Sequence, residues 1–237
     1  MFLKLATLAL IPALVIQGYH VKKNTLRLPE AFGDRAGSIG AGHPLSILIL
    51  GDSAAAGVGV QSQSDALSGA LLNILGKHYK IDWELLAKTG NKTTDLLKIL
   101  EHSTENHFDI VITSIGVNDV TQLISPKKWL KLQNHLYRLI SNKYSPQLIV
   151  ATGVPPMNEF PALPNPLAWL FGLYAKDMNL GLKKIMMQHD KIKIVEYDLD
   201  EYRNLNLSMA EDGFHPSKEI YQLWAEKIAV IIQQKFN

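Results

Sequence analysis

The run Leu45 to Leu50 (LSILIL) constrains the fold more than any other stretch. It is short and almost wholly apolar, with Pro44 before it and Gly51 after it. Such a run suits a strand buried on both faces, like the interior strands of a parallel sheet. Gly51-Asp52-Ser53 ends it abruptly, and the small residues Ala54 to Gly59 follow. A small polar side chain at the end of a buried strand sits where open α/β sheets keep their chemistry. Ser53 is therefore the candidate nucleophile. The same letters also read as an ordinary turn, since Gly, Asp and Ser are all turn formers. A phosphate loop is the weaker rival. There is no Gly-Lys-Ser/Thr ending, and Gly57-Val58-Gly59 is only a fragment of a dinucleotide fingerprint.

Downstream, strand and helix patterns alternate. Asp65 to Tyr79 places Leu67, Leu71, Ile74, Leu75 and His78 on one helical face. Trp83–Ala87 reads as a second strand, and Thr94 as the cap of a short helix carrying Leu96, Leu97 and Leu100. Phe108–Ile115 is a third strand, stopping at Gly116-Val117-Asn118-Asp119. Ser125-Pro126 starts a helix, with Ser as N-cap and Pro at the first helical position. Gln147–Thr152 and Lys191–Tyr197 are further strands, separated by a Pro-rich loop (155–166) and an apolar helix over Leu167–His189. A last helix follows Pro216, with Ile220, Leu223, Trp224, Ile228 and Ile231 facing inward. Five such alternations predict a five-stranded parallel sheet with helices on both faces.

Composition bounds what this fold carries. The chain has 237 residues, 47% of them hydrophobic and 19% charged, which is globular rather than disordered. Its net charge of +2, with no Lys/Arg cluster interleaved with aromatics, argues against nucleic acid as a partner. The absence of cysteine excludes disulfides, thiolate metal sites and a Cys nucleophile. None of the eight histidines shows metal-ligand spacing such as His-x-x-x-His.

The N-terminal part is different in kind. Leu5 to Tyr19 carries no charge, with Lys4 before it and Lys22, Lys23 and Arg27 after it. As a helix this stretch is about 22 Å long, short of the roughly 30 Å hydrocarbon core. It fits a signal-peptide h-region, an interfacial helix, or a strained span around Pro12. No Ala-x-Ala cleavage site follows it. Membrane association through residues 2–19, without cleavage, is the expectation, with the protein membrane-associated or exported. A helix docked on the domain is the alternative. Asn24 to Gly42 reads as an extended, Gly- and Pro-containing connector, so the chain divides into residues 1–42 and a domain over 43–237.

Position is what singles out the polar residues. Ser53, Gly90 and Asn118 each come just past the carboxyl end of a predicted strand, and in an open parallel sheet those ends share one edge. Asp212 and His215 lie three apart ahead of the last helix. At that spacing a carboxylate reaches the near imidazole nitrogen, leaving the far nitrogen to take a proton from Ser53. Asp198 and Asp200, after the fifth strand, compete with Asp212 for the orienting role. The backbone N–H groups of Ser53 and Gly90 and the amide of Asn118 are candidate oxyanion donors. Taken singly, Asn118-Asp119 and Asp212-Gly213 are ordinary turn pairs.

The set Gly51-Asp52-Ser53, Gly90, Gly116-x-Asn118-Asp119 and Asp212-x-x-His215-Pro216 resembles the SGNH (GDSL) hydrolases. The resemblance covers roughly His43 to the C-terminus. It implies a flavodoxin-like three-layer α/β/α fold and esterase, lipase, thioesterase or carbohydrate-deacetylase activity, without a metal or other cofactor. Two departures stand out. Ala54 occupies the position where Leu often follows Gly-Asp-Ser, and the stretch after Gly90 is one residue longer than the common Ser-Gly-x-Thr pattern. A serine esterase acting on a small or medium acyl ester is the first functional class. A non-catalytic binding protein for acylated glycan or lipid on the same fold is the second. The loop after the fourth strand supplies a further expectation: Phe160 and Leu163 wall an apolar acyl pocket beside Ser53.

Overall fold

The computed structural model describes residues 2–236. In chain order it comprises α1 (Phe2–Asn24), β1 (Ala36–Ile39), β2 (His43–Gly51), α2 (Leu67–Leu75), β3 (Tyr79–Ala87) and α3 (Thr93–His102). These are followed by β4 (Ile110–Ser114), α4 (Val117–Thr121), α5 (Pro126–Tyr144), β5 (Leu148–Thr152) and α6 (Leu167–Met186). The chain closes with β6 (Ile192–Val195), α7 (Leu199–Asn204) and α8 (Lys218–Phe236).

One sheet organises the molecule, with strand order β1-β3-β2-β4-β5-β6. From β3 to β6 every neighbouring pair is parallel, and only β1 runs antiparallel, on β3. The five parallel strands have the doubly wound order of flavodoxin-like sheets, whose switch point falls between the first and third of them. Here that point lies between β2 and β4. Both are enclosed: Ile47 to Leu50 and Ile110 to Ile112 have no exposed surface. Alternate side chains serve opposite faces. Leu48, Leu50 and Val111 pack under α3, α5 and α6, whereas Ile47, Ile49 and Ile112 pack under α2 and α8.

The sheet has six strands, not the five expected. The extra strand comes from the connector, where Ala36–Ile39 pairs with Glu84 to Ile81 at the sheet edge. All four of its residues are exposed, so backbone pairing rather than burial holds it, and no apolar pattern betrays it. β3 also begins at Tyr79, earlier than its sequence reading, because Tyr79 to Asp82 alternates buried and exposed as a half-covered strand does. The start of α5 is as read, with Ser125 Oγ accepting from the Lys128 N–H. That of α3 is not: Lys92 takes the N-cap position, where its N–H donates to Asp95, and Thr94 lies inside the helix. On α8, Tyr221, Ala225 and Ile232 are buried with Ile220, Trp224 and Ile228, while Leu223 and Ile231 are half-covered.

α1 lies along α6. Among the described residues it alone is long and apolar enough to cross a membrane by length and composition, a test that a signal sequence also passes.

The amino-terminal edge of the sheet is held by Asp109. Its carboxylate accepts from the Ser46 N–H at 2.9 Å, the Ser46 hydroxyl at 2.7 Å and Gln147 Nε2 at 3.0 Å, joining the starts of β2, β4 and β5. Asp109→Ala leaves these donors unpaired and should cost about 2 kcal/mol by urea denaturation. The geometry around Ser53 should be unchanged, because Ser53 lies at the opposite edge of the sheet.

Candidate active site

β2 ends at Gly51, and the next turn places Ser53 at the switch point. The turn is closed by Asp52, whose Oδ1 accepts from the Ala54 N–H at 3.1 Å. Gly59 lets the following segment press against the loop before α8: at φ +108° a Cβ there would meet the Pro216 carbonyl oxygen at 2.2 Å. The Tyr221 hydroxyl donates to the Val58 carbonyl at 2.7 Å and locks the same approach from α8. These contacts bring residues separated by 162 positions together, and His215 Nε2 lies 2.9 Å from Ser53 Oγ.

His215 Nδ1 is 2.6 Å from Asp212 Oδ2. The other oxygen, Oδ1, accepts from the Phe214 and His215 N–H groups at 2.9 Å each. Burial by itself would raise the Asp212 carboxyl, but the bonds from the His215 side chain and backbone and the Phe214 N–H outweigh it and hold it below the usual range. An ionised carboxylate only accepts, so Nδ1 carries the proton and donates it to Asp212. Nε2 is then left as the acceptor for the Ser53 hydroxyl. Asp198 and Asp200 play no part in this array. Asp198 caps α7, accepting from the Asp200 and Glu201 N–H groups, and Asp200 pairs with Arg203.

Asn118 and Gly90 sit on the neighbouring loops. Asn118 Nδ2 donates to the Asn91 carbonyl at 2.9 Å, and Asn91 Nδ2 donates to the Gly51 carbonyl at 3.1 Å. The ends of β2, β3 and β4 are thus tied to one another. Gly90 has φ +85°, which only glycine adopts without strain, and a Cβ there would face open space. Neither the Ser53 nor the Gly90 N–H has a hydrogen-bond partner among the described residues. Behind them, Asp119 accepts from the Thr93 N–H and hydroxyl at 3.1 and 2.9 Å, and Gln133 Nε2 donates to Thr93 Oγ1 at 3.1 Å. Asn91, Thr93 and Gln133 are missing from the sequence reading. The additional residue after Gly90 hid the Thr93–Asp119 pairing, although Asn91 stands next to Gly90.

A cavity of about 530 Å³ opens at Ser53 and His215. Ile115, Val154, Pro155, Phe160, Phe214 and Trp224 supply much of its apolar lining. Phe160 stands edge-on to Phe214, ring centroids 5.1 Å apart. Leu163 does not line this cavity. It is buried in the core under α6, because the loop turns inward after Phe160.

A hydrogen-bonded Ser–His–Asp set at the switch edge of a doubly wound sheet is an arrangement able to support nucleophilic catalysis. The GDSL-like lipase/acylhydrolase family profile matches residues 49–223. The chain belongs to that family and is a GDSL-type ester hydrolase. Solved structures share the fold. A lipolytic protein of the G-D-S-L family from Veillonella parvula superposes with a TM-score of 0.65 at 17% identity, covering 80% of this chain and 98% of that one. A lipase/acylhydrolase from Enterococcus faecalis gives 0.59 at 17% identity, covering 80% and 96%. The psychrotrophic esterase EstA from Pseudoalteromonas gives 0.57 at 20% identity, covering 80% and 97%. A comparison with curated proteins returned no match.

Asp52 carries a buried carboxyl beside this array. Burial pushes it up to about 7; the Ala54 N–H and the charge of His215 pull it down, and Asp119 adds repulsion. A carboxyl raised in the folded state binds its proton more tightly than in the unfolded chain, so folding loses stability as pH rises from about 4 to about 7. The full penalty is on the order of 4 kcal/mol. Asp52→Asn keeps an oxygen for the Ala54 N–H and removes the titration. Its stability advantage over the parent should widen by roughly 3 kcal/mol between pH 4.5 and pH 8 in urea denaturation. A gap that does not change with pH would show that Asp52 ionises normally.

Proposed function

We propose that the chain hydrolyses carboxylic esters or thioesters through an acyl-Ser53 intermediate. The observation that carries this reading is the continuous chain Ser53 Oγ–His215 Nε2 and His215 Nδ1–Asp212 Oδ2, opening on an apolar cavity. The Ser53 oxygen attacks the acyl carbon as its proton passes to His215 Nε2. Asp212 holds the tautomer and stabilises the imidazolium that forms. The carbonyl oxygen becomes an oxyanion facing the Ser53 and Gly90 N–H groups and the second amide hydrogen of Asn118. Collapse of the intermediate breaks the ester bond, and His215 returns its proton to the departing alcohol or thiol. Water then attacks the acyl-enzyme with the same base, releasing the acid and restoring Ser53.

Phe160 forms part of the wall against which the acyl chain lies, and a small or medium acyl group suits the cavity. The apolar helix α1 supports a membrane-associated location, which would bring this cavity near lipid-like esters.

The esterase from Pseudoalteromonas was solved inhibited by monoethylphosphonate. A phosphonate of that type should label this chain once, at Ser53, by mass spectrometry of the digested protein. Ser53→Ala and His215→Ala should each abolish hydrolysis of p-nitrophenyl esters, with the double variant little worse than either. Full activity in pure Ser53→Ala would remove the assignment. Asn118→Ala should lower kcat and kcat/KM together by about a hundred- to a thousand-fold, because its bond forms only in the transition state. A change confined to KM would make Asn118 a binding residue.

Acyl-length preference tests the cavity wall. Phe160→Ser should shift the ratio of octanoyl to acetyl ester turnover about tenfold toward acetyl, the usual worth of an apolar pocket contact. An unchanged profile would place the acyl chain elsewhere.

A further inference from the structure

α1 turns its polar side chains Thr7 and Gln17 toward α6, together with apolar Leu10 and Leu14. Gln17 lies against the start of α6, where its Nε2 donates to the Asn165 carbonyl at 2.6 Å and its Oε1 accepts from the Leu167 N–H at 3.1 Å. Gln17 thus takes the place of a missing peptide group on both sides of Pro166 and satisfies a donor in the first turn of α6. One end of the helix away, the Thr7 hydroxyl is 3.2 Å from the Tyr174 hydroxyl. The two contacts fix α1 antiparallel to α6, and Leu14 is buried between them with Leu10 partly covered.

The opposite face has no polar side chain between Lys4 and His20. Leu5, Leu8, Ile11, Val15, Ile16 and Tyr19 are all exposed on it, Leu8 at 63%, Val15 at 66% and Tyr19 at 63%. Leu5 to Tyr19 presents an apolar strip about 22 Å long, more contiguous apolar surface than a protein usually leaves to water. Charge closes the strip at both ends, with Lys4 at one and the exposed Lys22, Lys23 and Arg27 at the other.

We propose that α1 remains docked on α6 and lies in the plane of an anionic phospholipid surface, its outer face in the acyl boundary and its lysines among the phosphates. This deepens the membrane-associated location read above. The occupant follows from charge complementarity: an apolar strip with cationic ends matches an interface of acyl chains beneath anionic headgroups. A crossing helix does not match. α1 has the length to cross, but α6, hydrogen-bonded along it, carries Lys176, Asp177, Lys183 and Lys184, which do not enter hydrocarbon. The loop over residues 155–166 begins in the wall of the Ser53 cavity and ends at the Gln17 contact, so the anchor and the cavity share one structural element.

The test uses the full chain and vesicles of phosphatidylcholine with or without phosphatidylglycerol. The protein should sediment with the anionic vesicles and be released from them by alkaline carbonate. The variant Leu8→Asp/Val15→Asp should lose vesicle binding by at least tenfold while hydrolysing p-nitrophenyl acetate at the parent rate, which reports that it is folded. Lys22→Ala/Lys23→Ala should weaken binding to anionic vesicles by roughly 25-fold at low ionic strength, from about fivefold per lysine, and leave neutral vesicles unaffected. Binding that resists carbonate would overturn the in-plane arrangement and keep the membrane-associated location. No binding to either vesicle would overturn both. An oligomer that Leu8→Asp/Val15→Asp dissociates, without vesicle binding, would instead assign the strip to a second copy of the chain.

Discussion

The backbone hydrogen bonds of β2 are made to its two neighbours, because Ile47 to Leu50 are wholly enclosed and water cannot reach them. Such a strand has no free edge on which to carry chemistry, so polar function begins where pairing ends. Gly51 is that end. Its carbonyl accepts from Lys88 on one side and from Asn91, and the next residues turn outward at the switch point. The array at Ser53, the Asn91–Asn118 tie and the apolar cavity are all assembled on this single edge. Their positions are inherited from the register of β2 between β3 and β4.

Three aspartates near that edge show how surroundings divide one side-chain chemistry into separate roles. Asp212 accepts several hydrogen bonds and stays below the ordinary range despite its burial. Asp119 is raised by burial even though Thr93 donates to it twice, and it braces the start of α3 against α4. Asp52, with the Ala54 N–H on Oδ1, is raised furthest of the three, to about 7. Donor supply, set against the cost of leaving water, decides the order. Only Asp212 faces His215 Nδ1, so in the proposed mechanism it alone orients the base.

Much of this was readable from the chain. The apolar runs at Leu45–Leu50 and Phe108–Ile115 marked the interior strands, since a strand enclosed on both faces admits few other residues. Ser53, Gly90 and Asn118 could be grouped because parallel strands place their carboxyl ends together. Asp212 and His215 were legible as a pair because three residues of chain hold them close whatever the fold. β1 was not legible. Ala36–Ile39 is held by backbone pairing at an edge, and backbone atoms are the same in every sequence. Leu163 failed for a related reason: apolar loop residues line a cavity or enter the core according to how the loop turns, and composition is alike in both cases.

The sequence by itself determined the class of fold and a candidate set of residues for ester hydrolysis, because burial pattern and local spacing act over a few residues. Tertiary structure alone decided that His215 reaches Ser53 across 162 positions, that Asn91 links Gly51 to Asn118, and that Gln17 turns inward while Leu8 and Val15 turn out. These are contacts between distant segments. They depend on the register of the sheet and on how α6 and α8 pack across it, which no short stretch of sequence encodes.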